Sequence, residues 1–238
     1  MTYFIISDIH SHYNAMITAL LKSGYDSENT SHHLIVVGDL FDRGKQPKEV
    51  IEFLYQLHLE EKASVIIGNH DLFLLDFLQG NHKRVLFNIE KNGFGETLEY
   101  LSGIAPNEDN LDKIMEIIED EYSFLKHWLL SFPYYIELGN YIFVHGGIDG
   151  KILDWKTMTS KRDFVWNREY DLTPIKGKIV VSGHHRVATI RKKTDNYPLL
   201  FQQNPEMFDI LYKKGKILID RYVEVSNEIN VLKLDILV

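Results

Sequence analysis

The sequence predicts an α/β protein in which parallel strands alternate with helices. Six short runs are rich in β-branched and aromatic residues, and two longer segments of helical period separate the first three of them. A strand, helix, strand succession favours parallel pairing with right-handed crossovers. We see no internal repeat or low-complexity linker, so we expect residues 1–238 to form a single domain.

The predicted strands are apolar runs that mostly end in Gly or in a polar cluster. They are YFIIS (3–7), HLIVVG (33–38), ASVIIG (63–68), YYIELG (134–139), YIFVHGG (141–147) and KIVVSGH (178–184). The helices between the first three are YNAMITALLKSG (13–24) and PKEVIEFLYQLHL (47–59), whose apolar residues recur every three or four positions. Pro47 suits the first turn of the second helix.

The middle and the end of the chain follow different patterns. Residues 71–132 are mostly helical in period, with breaks at NGFG (92–95) and GIAPNEDN (103–110), and predict a helical cap at about 72–133 beside the strand ends. The tail, residues 207–224, predicts a hairpin that turns around Lys214 and Gly215.

Composition excludes several classes of function. With 238 residues and 45% hydrophobic content, the chain can bury a full core. Its net charge of -8 disfavours stable nucleic-acid binding, which needs clustered Lys and Arg. The sequence contains no Cys, so phosphatase chemistry through a phosphocysteine is excluded. It also lacks a secretion signal and a run of about 18 apolar residues, so we expect a cytoplasmic protein without membrane association.

Polar residues follow five of the predicted strands at their carboxyl ends, where open α/β sheets bind ligands. In chain order they are Asp8 and His10; Asp39, Asp42 and Arg43; Asn69, His70 and Asp71; His145; and His184 and His185. Carboxylates, imidazoles and an amide oxygen without thiolates suit Mn²⁺, Fe or Zn²⁺. More than four such ligands indicate two metal ions.

Each of these residues also has a structural explanation. A single Asp or His after a strand is usually a turn former or a helix cap. The residues occur in five motifs, in the order SDIH, GDLFDRG, GNHD, HGG and SGHH. This ordered set argues against five independent turns, and together the motifs predict a dinuclear metal site.

These motifs resemble those of the calcineurin-like metallophosphoesterases, and in particular the phosphoprotein phosphatase branch. The resemblance runs from residue 3 to about 185, and more loosely to 222. It includes NGFGET (92–97) and VWNRE (165–169), which are similar to stretches of bacterial and phage members. It implies a four-layer α/β/β/α sandwich with a helical cap segment. Bacterial Ser/Thr protein phosphatases and symmetrical diadenosine tetraphosphate hydrolases are the most similar groups.

The resemblance also implies the ligands of two divalent metal ions. Asp8 and His10 would bind the first ion, Asp39 would bridge both, and Asn69, His145 and His184 would complete the second site. Mn²⁺ is the expected ion, with Fe and Zn²⁺ as alternatives. A carboxylate between two cations offsets their repulsion, and the water that they share becomes a nucleophile near neutral pH.

Four further residues receive catalytic roles from the resemblance. His70 would protonate the leaving oxygen, and Asp42 would orient its imidazole. Arg43 and Arg168 would bind the phosphoryl oxygens, a bidentate task for which Lys is a poor replacement. Arg162 is an alternative to Arg168. We expect Arg186 to be a solvated turn residue, with substrate contact as the alternative.

The function implied is metal-dependent hydrolysis of phosphate monoesters, as by a Ser/Thr protein phosphatase acting on a phosphorylated protein, a peptide or a small phosphoester. The alternative is a symmetrical dinucleoside polyphosphate hydrolase, which shares the metal ions but needs a pocket for nucleosides. The third class, an inactive scaffold or binding module, conflicts with the intact ligand set. The choice between the first two depends on the contacts of residues 72–133, and the sequence leaves the oligomeric state open.

Overall fold

A computed structural model describes residues 1–169 and 173–236 of the chain, with the side chains of residues 82–84 left out of that description. The strands are β1 (Thr2–Ile6), β2 (His32–Val37), β3 (Ala63–Ile66), β4 (Tyr135–Leu138), β5 (Tyr141–Val144), β6 (Ile179–Ser182), β7 (Leu211–Lys213), β8 (Lys216–Leu218) and β9 (Leu232–Asp235).

The described chain also contains helices, which lie between the strands. They are α1 (Tyr13–Ser23), α2 (Pro47–Leu59), α3 (Asp71–Leu78), α4 (His82–Lys91), α5 (Phe94–Ser102), α6 (Leu111–Glu121), α7 (Leu125–Leu130), α8 (Trp155–Met158), α9 (Lys161–Trp166), α10 (Val187–Arg191), α11 (Tyr197–Gln203) and α12 (Val223–Ser226), with a 3₁₀ turn at Pro205–Phe208. None of the described helices is both long and apolar enough to span a membrane.

The first sheet has the strand order β3-β2-β1-β9. β1, β2 and β3 are parallel, and α1 and α2 form the crossovers between them, as the alternating sequence pattern predicts. β9 runs antiparallel to β1, with Ile5 opposite Leu232. The sequence analysis did not predict this last strand.

The second sheet has the order β4-β5-β6-β8-β7. β5, β6 and β8 are parallel, whereas β4 and β7 run antiparallel at the two edges. The predicted tail hairpin is therefore shorter than residues 207–224: only β7 and β8 pair around Lys214 and Gly215, and the chain after β8 turns into α12.

The two sheets pack face to face, with helices on their outer sides. Alternate residues of β1, such as Tyr3 and Ile5, join Phe143 and Val181 of the second sheet in one buried cluster. The intervening residues, such as Phe4, belong to a larger cluster that contains the buried faces of α1 and α2. These four layers confirm the predicted α/β/β/α sandwich.

Five helices, α3 to α7, lie between β3 and β4 in the chain. Their buried residues, including Phe77, Phe94 and Trp128, belong to the same cluster as those of α1 and α2. The loop between α5 and α6 matches the predicted break at 103–110, whereas the break at 92–95 is narrower because α5 begins at Phe94. The division into one domain with a cap at about 72–133 stays a prediction.

Candidate dinuclear metal centre

The predicted site residues meet at the carboxyl ends of strands from both sheets. Eight of the ten line one cavity of about 1020 Å³: Asp8, His10, Asp39, Arg43, Asn69, His70, Arg168 and His184. Asp42 and His145 lie behind them and are fully buried. Because the parallel strands of both sheets end here, residues far apart in sequence share one site.

The backbone of this site is unusual. Six of the ten residues have a positive φ: Asp8 (51°), His10 (45°), Asp39 (56°), Asp42 (75°), Arg43 (65°) and His184 (58°). Left-handed backbone is uncommon for residues other than Gly and costs of order 1–3 kcal/mol at each position. Such residues cluster at functional sites, where the surrounding fold holds them in place.

Two glycines let the strand ends approach each other. Gly38 has a φ of 78°, and a Cβ atom there would lie 2.6 Å from Nδ1 of His145. A Cβ atom on Gly68 would collide with the main-chain N and the carboxylate of Asp39. The Gly of GDLFDRG and the Gly of GNHD therefore allow Asp39 and His145 to share the site.

Asp39 stands between two groups of candidate metal ligands. His10, Asp39 and His70 form one group, and Asp39, His145 and His184 form the other, each with donor atoms within 4.8 Å of one another. Oδ2 of Asp39 lies 3.7 Å from Nε2 of His10 and 3.3 Å from Nε2 of His145. This position agrees with the predicted bridging role of Asp39, which stays a prediction.

The second group attracts a positive charge. Nδ1–H of His145 donates to the carbonyl of Val37 (2.9 Å), which turns Nε2 toward Oδ1 of Asn69 (3.0 Å) and the Asp39 carboxylate. Burial alone lowers the pKa of His145, but the carboxylates of Asp39 and Asp8 raise it to about 10. Nε2 of His145, Oδ1 of Asn69 and the Asp39 carboxylate all carry lone pairs and face one another. They repel unless a proton or a metal cation lies between them, so these three residues fit a divalent ion.

Asp8 has a different orientation. Its two carboxylate oxygens lie 3.2 and 3.1 Å from the main-chain N–H of His184, which donates to them. Asp8 is in neither group of candidate ligands found in the described residues. Burial raises its pKa, and the neighbouring carboxylate of Asp220 raises it further. Asp8 thus lines the cavity beside the groups, and its predicted role as a ligand stays a prediction.

His70 is fixed on both sides of its ring. Nδ1–H donates to Oδ2 of Asp42 at 2.6 Å, and Nε2 accepts from Nη2 of Arg43 at 2.7 Å. Asp42 in turn accepts from the Thr97 hydroxyl at 2.8 Å, and its own main-chain N–H donates to that hydroxyl at 3.0 Å. The chain of contacts from Thr97 to Asp42 to His70 sets the tautomer of the imidazole.

Arg43 reaches both imidazoles. Nη1 lies 2.6 Å from Nε2 of His10, whose Nδ1–H donates to the carbonyl of Phe41 at 2.8 Å. Nε2 of His10 is therefore the nitrogen that is free to bind a metal ion, and binding there requires the Arg43 N–H to turn away. Glu224 supplies a second partner for the same guanidinium, because Oε1 accepts from Nη1 at 2.8 Å.

A comparison of the chain with known protein families identifies its family. The family model for calcineurin-like phosphoesterases matches residues 1–219, which is most of the chain. The chain belongs to the calcineurin-like phosphoesterase family. This membership confirms the resemblance and the predicted class of enzyme, a metallophosphoesterase.

Several individual phosphoesterases are similar to the chain in sequence. The asymmetrical bis(5'-nucleosyl)-tetraphosphatase PrpE of Oceanobacillus iheyensis is 31% identical over 167 residues, which cover 66% of this chain and 60% of that protein. A symmetrical bis(5'-nucleosyl)-tetraphosphatase of Buchnera aphidicola is 33% identical over 98 residues, covering 41% of this chain and 33% of that protein. The chain thus spans less than two thirds of the length of these relatives.

Solved structures share the fold at low sequence identity. A putative diadenosine tetraphosphatase has a TM-score of 0.53 at 17% identity, over 94% of this chain and 84% of that one. The cold-active protein-tyrosine phosphatase of a Shewanella species has a TM-score of 0.58 at 19% identity, over 98% of this chain and 75% of that one. Both phosphatases support the four-layer architecture.

Two metal ions would supply a phosphoesterase with a water of lowered pKa and with charge stabilisation for the phosphoryl oxygens. The residues around the groups of candidate ligands can do the rest. His70 can give a proton to a leaving oxygen, since Asp42 stabilises its charged form. The guanidinium of Arg43 can bind phosphoryl oxygens through two parallel N–H groups.

Four residues around the site receive no role from the sequence: Thr97, Asp71, Asp220 and Glu224. Thr97 ends the NGFGET stretch. Asp71 accepts from the main-chain N–H groups of Asp39 (3.0 Å), Leu40 (2.8 Å) and Gly68 (2.8 Å), and so ties two strand ends together. Burial, and then the charge of Asp39, raise the pKa of Asp71 to about 7.

The other two missed residues follow β8. Asp220 is buried at the end of an apolar run, ILI, in the same arrangement as Asp8 after β1. The pattern of residues 207–224 predicts one arm of a hairpin here, and that prediction hides a sixth strand with a polar carboxyl end. Glu224 lies four residues further on.

The arginines outside GDLFDRG are also placed. Arg168 lines the cavity of the candidate ligands, whereas Arg162 lines a neighbouring groove of about 1190 Å³. The expectation for Arg186 was wrong: it is not a solvated turn residue. Its Nη2 donates to Oε1 of Glu224 at 2.6 Å, and its guanidinium lies 3.9 Å from the centre of the Tyr222 ring.

Proposed function

We propose that this phosphoesterase hydrolyses dinucleoside polyphosphates with two bound divalent metal ions. The observation that carries the proposal is the size of the cavity that contains the candidate ligands, about 1020 Å³. Small-molecule sites usually enclose about 300–1000 Å³. A cavity at the upper end of that range has room for a phosphate chain and a nucleoside, which is more than a phosphoryl group alone needs.

The lining of the cavity supports the same class of substrate. Phe87 and Tyr197 place aromatic rings at its wall, and Lys193 adds a cation beyond the three guanidinium groups that line it. Aromatic rings stack on nucleobases, and cations pair with phosphate oxygens. The relatives named as bis(5'-nucleosyl)-tetraphosphatases agree with this substrate, although the chain covers only part of each.

In this proposal each site residue keeps its predicted role. Asp8 and His10 would hold one ion, Asn69, His145 and His184 would hold the other, and Asp39 would contribute to both sites. His70 carries a proton on Nε2 and gives it to the leaving oxygen, while Asp42 holds the ring. Arg43 turns from the imidazoles to the phosphoryl oxygens, and Arg168, which lines the same cavity, binds them as well. Mn²⁺ is the proposed ion, and a cytoplasmic location stays a prediction.

A side-by-side assay tests the proposal. The Mn²⁺-loaded protein is given diadenosine tetraphosphate, p-nitrophenyl phosphate and a phosphothreonine peptide, and kcat/KM is measured for each. We expect the highest value for diadenosine tetraphosphate. Ion-exchange chromatography of the products then places the cut, because ADP alone means symmetrical cleavage and ATP with AMP means asymmetrical cleavage. The Asp39→Asn variant, purified by the same procedure, controls for contaminating phosphatases.

A Ser/Thr protein phosphatase is the second candidate, and one observation favours it. The neighbouring groove of about 1190 Å³ shares Trp166 and Arg168 with the cavity, so an extended peptide could lie along it. A kcat/KM for the phosphothreonine peptide more than tenfold above that for diadenosine tetraphosphate would decide for this candidate. Hydrolysis of none of the three substrates would instead favour an inactive scaffold.

A further inference from the structure

One carboxylate oxygen joins two arginines at the wall of the cavity. Oε1 of Glu224 accepts from Nη1 of Arg43 at 2.8 Å and from Nη2 of Arg186 at 2.6 Å. The two guanidinium groups are therefore no more than two hydrogen-bond lengths apart. Both arginines line the cavity, so two neighbouring guanidinium groups face it, with the carboxylate of Asp220 beside them.

Arg186 is held on a second side by an aromatic ring. Its guanidinium lies 3.9 Å from the centre of the Tyr222 ring, at cation–π distance. Tyr222 has a φ of 58°, so its backbone adopts a conformation that is uncommon outside Gly. The Arg186 side chain remains 32% exposed. These contacts fix the direction of Arg186 and leave part of its guanidinium open to a ligand.

This arrangement suits two neighbouring phosphoryl groups better than one. Adjacent phosphoryl groups in a polyphosphate share an oxygen, so their outer oxygens are also separated by a short distance. Two guanidinium groups side by side can each pair with one of them. A phosphate monoester offers a single phosphoryl group, for which Arg43 and Arg168 suffice in the proposed function.

We propose that Arg186, held by Glu224 and Tyr222, forms a second phosphate subsite that binds the phosphoryl group next to the one attacked. Its ligands are compounds with two or more adjacent phosphoryl groups. The proposal rests on the proposed function, in that Arg43 binds the attacked group, and it names the contact that selects polyphosphates over monoesters.

The test measures binding and does not need turnover. Titration calorimetry on the Mn²⁺-loaded full chain compares methylenediphosphonate, which has two adjacent phosphoryl groups and a bridge that water does not cleave, with methylphosphonate, which has one. The variants are Arg186→Gln, Arg186→Lys and the control Lys192→Gln. Lys192 is exposed, lies near Arg186 in the chain and is not among the described residues that line the cavity.

For Arg186→Gln we expect the Kd of methylenediphosphonate to rise about 10-fold to 100-fold, the loss of one charge-assisted contact, while the Kd of methylphosphonate changes less than 2-fold. Arg186→Lys should fall between wild type and Arg186→Gln, since it keeps the charge without the planar fork. Lys192→Gln should change neither Kd. Thermal unfolding of each variant verifies that it is folded.

Two results would overturn the subsite. One is an equal change in Kd for both phosphonates, and the other is no change for either. These results are separate from the fate of the proposed function. A wild type that fails to hydrolyse diadenosine tetraphosphate but shows the selective change in Kd would retain the subsite and lose the proposed substrate. Hydrolysis of diadenosine tetraphosphate by the wild type, without the selective change in Kd for Arg186→Gln, would retain the proposed substrate and lose the subsite.

Discussion

Nδ1 of His70 lies 2.6 Å from Oδ2 of Asp42, and both side chains are buried. The carboxylate can accept only from an N–H, so the proton of the neutral ring is on Nδ1 and Nε2 faces the cavity. A proton that arrives at Nε2 gives an imidazolium that the same carboxylate stabilises. The pair therefore has the arrangement of a general acid and its orienting group.

His70→Asn should lose activity in proportion to the difficulty of the leaving group. We expect a loss of about 10²–10⁴-fold on phenyl phosphate, whose leaving oxygen needs a proton, and a smaller loss on p-nitrophenyl phosphate. Steady-state rates on both esters measure the ratio. His70 lies in one group of candidate ligands, but its proposed role is that of the acid, so elemental analysis should still find two metal ions per chain. Equal losses on the two esters would mean that His70 is not the acid.

Thr97 supports Asp42 from behind, and its hydroxyl both accepts from Asp42 N–H and donates to Oδ1. Thr97→Val keeps the shape but leaves two buried polar groups without that partner. We expect it to lower the free energy of unfolding by about 1–3 kcal/mol in urea denaturation and to lower the rate on phenyl phosphate. Thr97→Ser is the matched control, because it keeps the hydroxyl. If Val and Ser behave alike, the hydroxyl does not support Asp42.

Removal of metal ions should abolish turnover reversibly. All the candidate ligands are N or O donors, so dialysis against EDTA should give an inactive chain, and Mn²⁺ should restore it better than Mg²⁺, which binds imidazole poorly. Rates after addition of each ion measure the order. The metal ions would screen the repulsion between Asp39 and the carboxylates around it. The melting temperature of the chain should therefore also rise when metal ions are added back. Full activity in excess EDTA would contradict metal dependence.

The strand ends could be predicted because they combine two local signals. A β-branched run followed by Asp, Asn or His marks both the strand and its polar end, and the parallel order then implies that Asp39 and Asn69 meet. Period and Pro47 predict the bounds of α2, whereas β1 and β2 each lie one residue earlier than predicted. Local periodicity is sufficient where strand and crossover alternate.

Other contacts depend on tertiary structure that no local pattern contains. β9 pairs with β1 across 227 to 233 positions of the chain, as in Ile5 with Leu232 and Thr2 with Asp235, and its four residues resemble any short polar alternation. Glu224 reaches Arg43 from α12, a one-turn helix without a sequence signal of its own. Asp220 follows the apolar run of β8 as Asp8 follows that of β1, but the predicted hairpin hid this polar strand end.

Asp39 and Asp42 have different contacts although they are three residues apart, and metal counting tests whether their roles differ as well. If Asp39 bridges two ions, Asp39→Asn removes the negative charge that offsets their repulsion, so the variant should bind one ion or none where the wild type binds two. Asp42 contacts His70 and Thr97 and is in neither group of candidate ligands found in the described residues. Asp42→Asn should therefore keep two ions while its rate falls, since the amide no longer stabilises a charged imidazole.

A mere turn at GDLFDRG would give another result: neither change would alter the metal content, and each would cost only about 0.5–2 kcal/mol of stability. Elemental analysis of both purified variants decides the matter, and two ions in Asp39→Asn with near wild-type activity would exclude the bridge.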